Sequence, residues 1–184
     1  MKRRNIRSKI RERITFSVRT RPGNRRQGLV LLRSRTYACA LGTAGIRVCK
    51  REGDGSTPAG CWKLLGVLYR ADRVSRPVTA LPVNAISSAD GWCDAPDDRN
   101  YNSPVKLPYP RSAEEMWRED SIYDIVVILD HNTRPRKRCR GSAVFIHLSR
   151  KGYSPTQGCI ALGEQDLRML LQAGAPGSTV AILP

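Results

Sequence analysis

The sequence holds only two histidines, His131 and His147, and none of its six cysteines stands in a C-x-x-C pair. That scarcity removes the usual ligand spacings of a zinc site. Neither G-x-x-x-x-G-K-[ST] nor G-x-G-x-x-G occurs, which excludes the phosphate-cradling loops; Gly53-Asp54-Gly55-Ser56 reads instead as a hairpin turn and sheet corner. No apolar run approaches the roughly 18 residues of a membrane-spanning helix. Met1 to Arg13 are charged but lead into no apolar h-region, because Ile14–Val18 is short and Arg19 follows at once, so a secretory signal is not expected. Internal repeats are absent as well.

What is present fits one ordered domain. The chain has 184 residues, 40% of them hydrophobic, with 15 glycines and 12 prolines, a composition for a turn-rich globular protein with its own core. The net charge is +16, and residues 1–26 hold eleven Lys/Arg against Glu12 alone, a local excess of +10. A flexible basic arm over residues 1–11 is expected ahead of a folded domain at 12–184. Such an arm would attract a polyanion such as nucleic acid, anionic lipid or an acidic wall polymer, or would simply be solvated. The cysteines (Cys39, Cys49, Cys61, Cys93, Cys139, Cys159) lie mostly in apolar contexts, and free thiols are favoured over bridges.

Short strands dominate the pattern. Ile14, Phe16 and Val18 alternate with polar residues, Arg21–Asn24 is a turn, and Leu29–Leu32 with Tyr37–Leu41 reads as a hairpin. Further strands are expected at Trp62–Tyr69, Asp124–Leu129, Ala143–Leu148 and Thr179–Leu183, with a helix over Glu164–Gln172. Ser112-Ala113-Glu114-Glu115 has capping-box spacing and predicts a second short helix, while 70–110 reads as a long excursion of loops. The fold class that results is mainly β, a sandwich or barrel with one or two short helices.

The residues with most chemical potential are His147, at the end of an apolar strand, and Cys159, in a loop just before the Glu164 helix. An imidazole that accepts a thiol's proton makes a strong nucleophile. Gly158 before it lets the backbone turn tightly and present N–H groups to an oxyanion. Spacing alone leaves an inert buried cysteine and a structural histidine equally open. Trp92, Tyr101, Tyr109 and Trp117 likewise either cap a core or line a sugar groove.

The flanking residues carry a resemblance. Thr156-Gln157-Gly158-Cys159-Ile160-Ala161-Leu162 resembles the Ser/Thr-His-Gly-Cys signature of the YkuD-type L,D-transpeptidases. Phe145-Ile146-His147 is similar to that family's base segment, and Asp54–Gly60 to its D-G-x-T-P-x-G loop, in the family's order. The segment from Asp90 to Tyr109 resembles one branch of the family. Gln157 and Ala161 depart from the signature, and the gap from His147 to Cys159 is shorter than usual. The Gln157 amide supplies a donor where the family has a second imidazole. For the anchor lost at Ala161, Arg150 and Lys151 are the substitutes, if they are not solvated charges.

The resemblance implies a YkuD-like β domain without cofactor or metal. It assigns Cys159 as nucleophile, His147 as base and Gly158, with the Cys159 amide, as oxyanion donor. Gln157, Thr156, Tyr153 and His131 are the substrate-binding candidates, His131 being structural otherwise. A main-chain carbonyl, or else Asp130, would orient His147. The implied partners are peptidoglycan stem peptides, as acyl donor and amine acceptor, and the implied location is the cell envelope or periplasm. A hydrolase using water in place of the amine, and a non-catalytic polyanion binder, are the alternatives.

Overall fold

The computed structural model describes residues 15–184. The expected arm at 1–11 lies outside the described residues. β1 (Thr15–Arg21) and β2 (Asn24–Leu32) form a hairpin at Pro22-Gly23, and β3 (Arg35–Ala40) folds back across Arg33-Ser34. Arg19, Arg21, Arg25 and Arg26 therefore stand exposed on a hairpin and belong to the folded domain. The two-residue strands β4 (Ile46–Arg47) and β5 (Thr57–Pro58) pair in parallel, so the Asp54 loop between them is not the hairpin expected from Gly53–Ser56. The longest strand, β6 (Gly60–Tyr69), follows.

The segment expected to be loops carries three short strands, β7 (Val83–Ala85), β8 (Asp90–Cys93) and β9 (Ser103–Lys106). The expected capping-box helix is instead a strand, β10 (Ala113–Glu115), which pairs with β8. Pairing with Gly91–Cys93 satisfies this backbone in extended form, and Met116 drops into the core directly after it. The S-x-x-E spacing thus occurs without the helix it would cap. The remaining elements are β11 (Ile125–Leu129), β12 (Phe145–Leu148), β13 (Ile160–Leu162), α1 (Glu164–Ala173) and β14 (Thr179–Leu183).

The main sheet runs β11-β12-β13-β3-β2-β1-β14-β6-β7, and β11 also pairs with β6. That last pairing closes the sheet into a barrel and removes the two long edges an open sheet would expose. β6 is long enough to do this: Gly60–Lys63 pair with β14 and Leu64–Tyr69 with β11. The helix α1 buries Leu167, Leu170 and Leu171 against the barrel core. Among the described residues no helix is long and apolar enough to cross a membrane.

β11 and β12 are buried on both faces, which explains their unbroken apolar runs. Ile125, Val127, Leu129, Ile146 and Leu148 point into the barrel core. Val126 and Phe145 point the other way, into a second cluster with Trp92, Met116, Tyr123, Ala143 and Cys159. The small sheet β10-β8-β9 supplies much of that second layer.

Leu129 sits where β11 closes onto β6, 2% exposed. Leu129→Ala is expected to lower the unfolding free energy by about 2–5 kcal/mol in chemical denaturation. A loss below about 1 kcal/mol would show that the closure carries little packing.

Candidate active site

β12 and β13 are parallel neighbours, Ile146 opposite Ile160 and His147 opposite Ala161. Parallel neighbours cannot be joined by a tight turn; they need a crossover of about a dozen residues. The eleven residues 149–159 between β12 and β13 are that crossover, spent on a loop in place of a helix. The register brings Cys159 beside Phe145, and the alternation of the pleat puts it on the face that Phe145 and His147 share. His147 is its diagonal neighbour.

Cys159 is 8% exposed at one wall of a cavity of about 590 Å³ that His147 also lines. Its S–H donates to the Ala143 carbonyl at 3.2 Å, and Sγ accepts from the Phe145 N–H at 3.3 Å. Burial pushes the thiol up to about 12; the nearby Glu114 carboxylate adds to this, and Phe145 N–H and Lys50 oppose it. His147 is 5% exposed, and its Nδ1 lies 2.9 Å from the Leu148 carbonyl. A carbonyl can only accept, so Nδ1 carries the hydrogen and Nε2 keeps its lone pair. Desolvation pulls the imidazole down to about 4, against the pull of that carbonyl. At neutral pH the resting pair is thus a neutral thiol and a neutral imidazole. Tyr123 packs edge-on against the imidazole, ring centroids 5.3 Å apart.

The loop before Cys159 is held from below. Thr156 joins the Leu41–Thr43 segment through main-chain bonds on both sides, and its Oγ1 donates to the Cys159 carbonyl at 2.6 Å while accepting from Gly158 N–H. Gly158 has φ +137°, and a Cβ there would lie 2.7 Å from the Ser56 carbonyl, so glycine is required on both counts. Under this loop Lys50, 5% exposed, pairs with Asp54 at 2.8 Å. Burial alone would raise the Asp54 carboxyl, but hydrogen bonds from Lys50, Arg51 and Ser56 outweigh it and hold the group well below the usual carboxylate range.

A family model, the YkuD L,D-transpeptidase catalytic domain, matches residues 21–182. The chain belongs to the YkuD family. Its mainly β, barrel-like architecture with one helix agrees with the YkuD fold. Comparison with curated proteins found no match, and none was found among solved structures.

Of the residues singled out from the YkuD signature, Cys159, His147, Gly158, Gln157 and Thr156 all line the one cavity. Tyr153 and His131 do not. Tyr153 is half-buried on a left-handed turn of the crossover, on the Asp166 side. His131 packs edge-on against Trp62 and bonds the Arg140 carbonyl through Nε2 at 3.1 Å. Asp130 receives the Lys63 N–H at 2.6 Å, and the Leu148 carbonyl is what holds His147. Gly158 already gives its N–H to Thr156, so it is not a free oxyanion donor here. None of the four candidate groove aromatics lines the cavity: Trp92 and Tyr101 are buried, Trp117 stacks under Arg70, and Tyr109 is bonded to Asp98 and Asn100. All six cysteines are free.

Sequence reasoning missed most of the cavity's charge. Glu52, Asp94, Glu114 and Glu115 line it, with Arg118 and Arg150, both of which bind Asp120. Burial raises the Glu114 carboxyl against the hydrogen bond from Tyr123 Oη at 2.6 Å. Glu114 and Glu115 were hidden by the capping-box reading. Lys50 carried a faint signal, its i,i+4 spacing to Asp54.

The His147 imidazole links stability to pH. Its folded value lies near 4 against an ordinary 6.5, so below pH 6.5 the unfolded chain binds a proton that the folded chain refuses. This contribution is full above about 6.5 and is lost as pH falls towards 4. Between pH 7.5 and 4.5 wild type is expected to lose about 2–3 kcal/mol more than His147→Gln in urea denaturation. Equal losses in both proteins would contradict a buried neutral imidazole.

Proposed function

We propose that this YkuD domain is a cysteine acyltransferase acting on peptidoglycan stem peptides in the cell envelope, with Cys159 as nucleophile and His147 as base. The observation that carries the reading is the shared cavity in which a buried thiol lies on the same strand face as an imidazole whose Nδ1–H is tied to Leu148. Nε2 is then the atom free to exchange a proton with sulfur.

In the first step Sγ attacks the carbonyl of the donor stem's third residue and its proton passes to His147 Nε2. The oxyanion is held by main-chain N–H, that of Cys159 being the nearer choice since Gly158 is engaged. Collapse breaks the C–N bond, His147 returns the proton to the departing terminal D-alanine amine, and a thioester remains. In the second step the side-chain amine of another stem attacks the thioester, loses a proton to His147 and releases the thiol as the new amide forms. The cavity volume suits a short peptide. Water in place of the amine gives a carboxypeptidase from the same machinery.

The test is product analysis with a stem tetrapeptide, with and without an amine acceptor. Wild type is expected to give the cross-linked amide when the acceptor is present, and Cys159→Ala to give no product while remaining folded. Free tripeptide alone at saturating acceptor would make the protein a hydrolase, and full activity in Cys159→Ala would overturn the assignment of the nucleophile.

A further inference from the structure

Two main-chain groups hold the Cys159 sulfur, the Ala143 carbonyl and the Phe145 N–H. The first is tied by a hydrogen bond, and the second through ring packing alone, to one buried side chain in the excursion between β8 and β9. Asn102 is 4% exposed, and its backbone sits in the left-handed region at φ 54°, which asparagine tolerates better than most residues. Its Oδ1 accepts from Ala143 N–H at 3.1 Å and from Trp92 Nε1–H at 3.0 Å. Its Nδ2 donates to the carbonyls of His131 at 3.0 Å and Asn132 at 2.9 Å. A carboxamide has two donor hydrogens and two acceptor lone pairs, and here all four are used.

Ala143 is itself left-handed at φ 49°, a conformation unfavourable for a residue with a Cβ. In that conformation its carbonyl accepts the thiol hydrogen, while Asn102 secures its N–H. Trp92, held by the same Oδ1, packs edge-on against Phe145 with centroids 5.0 Å apart. We propose that Asn102 is a positioning residue for Cys159, fixing the sulfur through the strained main chain of Ala143. The inference rests on Cys159 being the nucleophile.

The test is a double-mutant cycle on the rate of Cys159 acylation by a carbapenem, followed by intact mass, with each protein shown to be folded by its Tm. Asn102→Ala is expected to lower the first-order acylation rate by about ten-fold or more, because misplacing a reacting atom is expensive. The half-saturating concentration should change little. In an Ala143→Gly background, where glycine adopts the left-handed backbone unaided, the same change should cost less than about three-fold. An equal cost in both backgrounds, or a wild-type rate in Asn102→Ala, overturns the inference. Should Asn102→Ala not fold, Ala143→Val attacks the same contact from its other end, since a β-branched residue resists that backbone. It should slow acylation comparably, and an unchanged rate is again fatal to the inference. If wild type itself is not acylated, the nucleophile assignment fails, and site-resolved iodoacetamide labelling of Cys159 decides about Asn102. Losing an acceptor for the protonated thiol should move the pH dependence of the labelling rate lower in Asn102→Ala, and an unmoved dependence overturns the inference.

Discussion

The parallel pairing of β12 with β13 is the constraint on which the site depends. A one-residue slip in that register would turn Cys159 to the barrel core and leave His147 without a neighbour on its face. Closure of the barrel through β6 and β11 fixes β12 from one side, because β11 pairs with both β6 and β12. β3 fixes β13 from the other, and the crossover between them is pinned to Leu41 and Thr43 through Thr156. Cys159 and His147 are thus placed by sheet geometry, while the excursion through β8, β9 and β10 supplies walls of the cavity.

Burial gives this thiol a different character from that of an exposed reactive cysteine. Low thiol values arise beside cations in open sites, whereas Cys159 is desolvated and faces Glu114 across the cavity. A neutral resting thiol is a poor target for stray electrophiles. In the proposed mechanism it becomes a nucleophile when a carbonyl is seated within reach and the proton can move to His147 as the new bond forms. The Lys50 ammonium beneath the loop, paired with Asp54, opposes the effect of the Glu114 carboxylate on the Cys159 thiol.

Much of the barrel was legible because periodicity and length report burial directly. The alternation at Phe16 and Val18 and the continuous run from Ile125 to Leu129 mark one-sided and two-sided strands respectively. The cysteine and histidine of the cavity were legible from local residue order, since a strand histidine and a Gly-Cys pair are both short-range features. What could not be read were contacts between distant segments. Glu114 looked like a helix residue until its pairing with Trp92 was known, and His131 looked like a site residue because it stands beside a strand end. Asn102 gave no signal at all, since its importance lies in four partners spread between residues 92 and 143.

The most direct measurement is peptide-mapped mass spectrometry of the protein after incubation with a carbapenem, with Cys159→Ala and His147→Asn alongside. One covalent adduct is expected on the Cys159 peptide of wild type, none in Cys159→Ala, and a strongly slowed adduct in His147→Asn. A folded wild-type protein that forms no adduct, or forms it on Cys49, Cys61 or Cys139, would contradict the account.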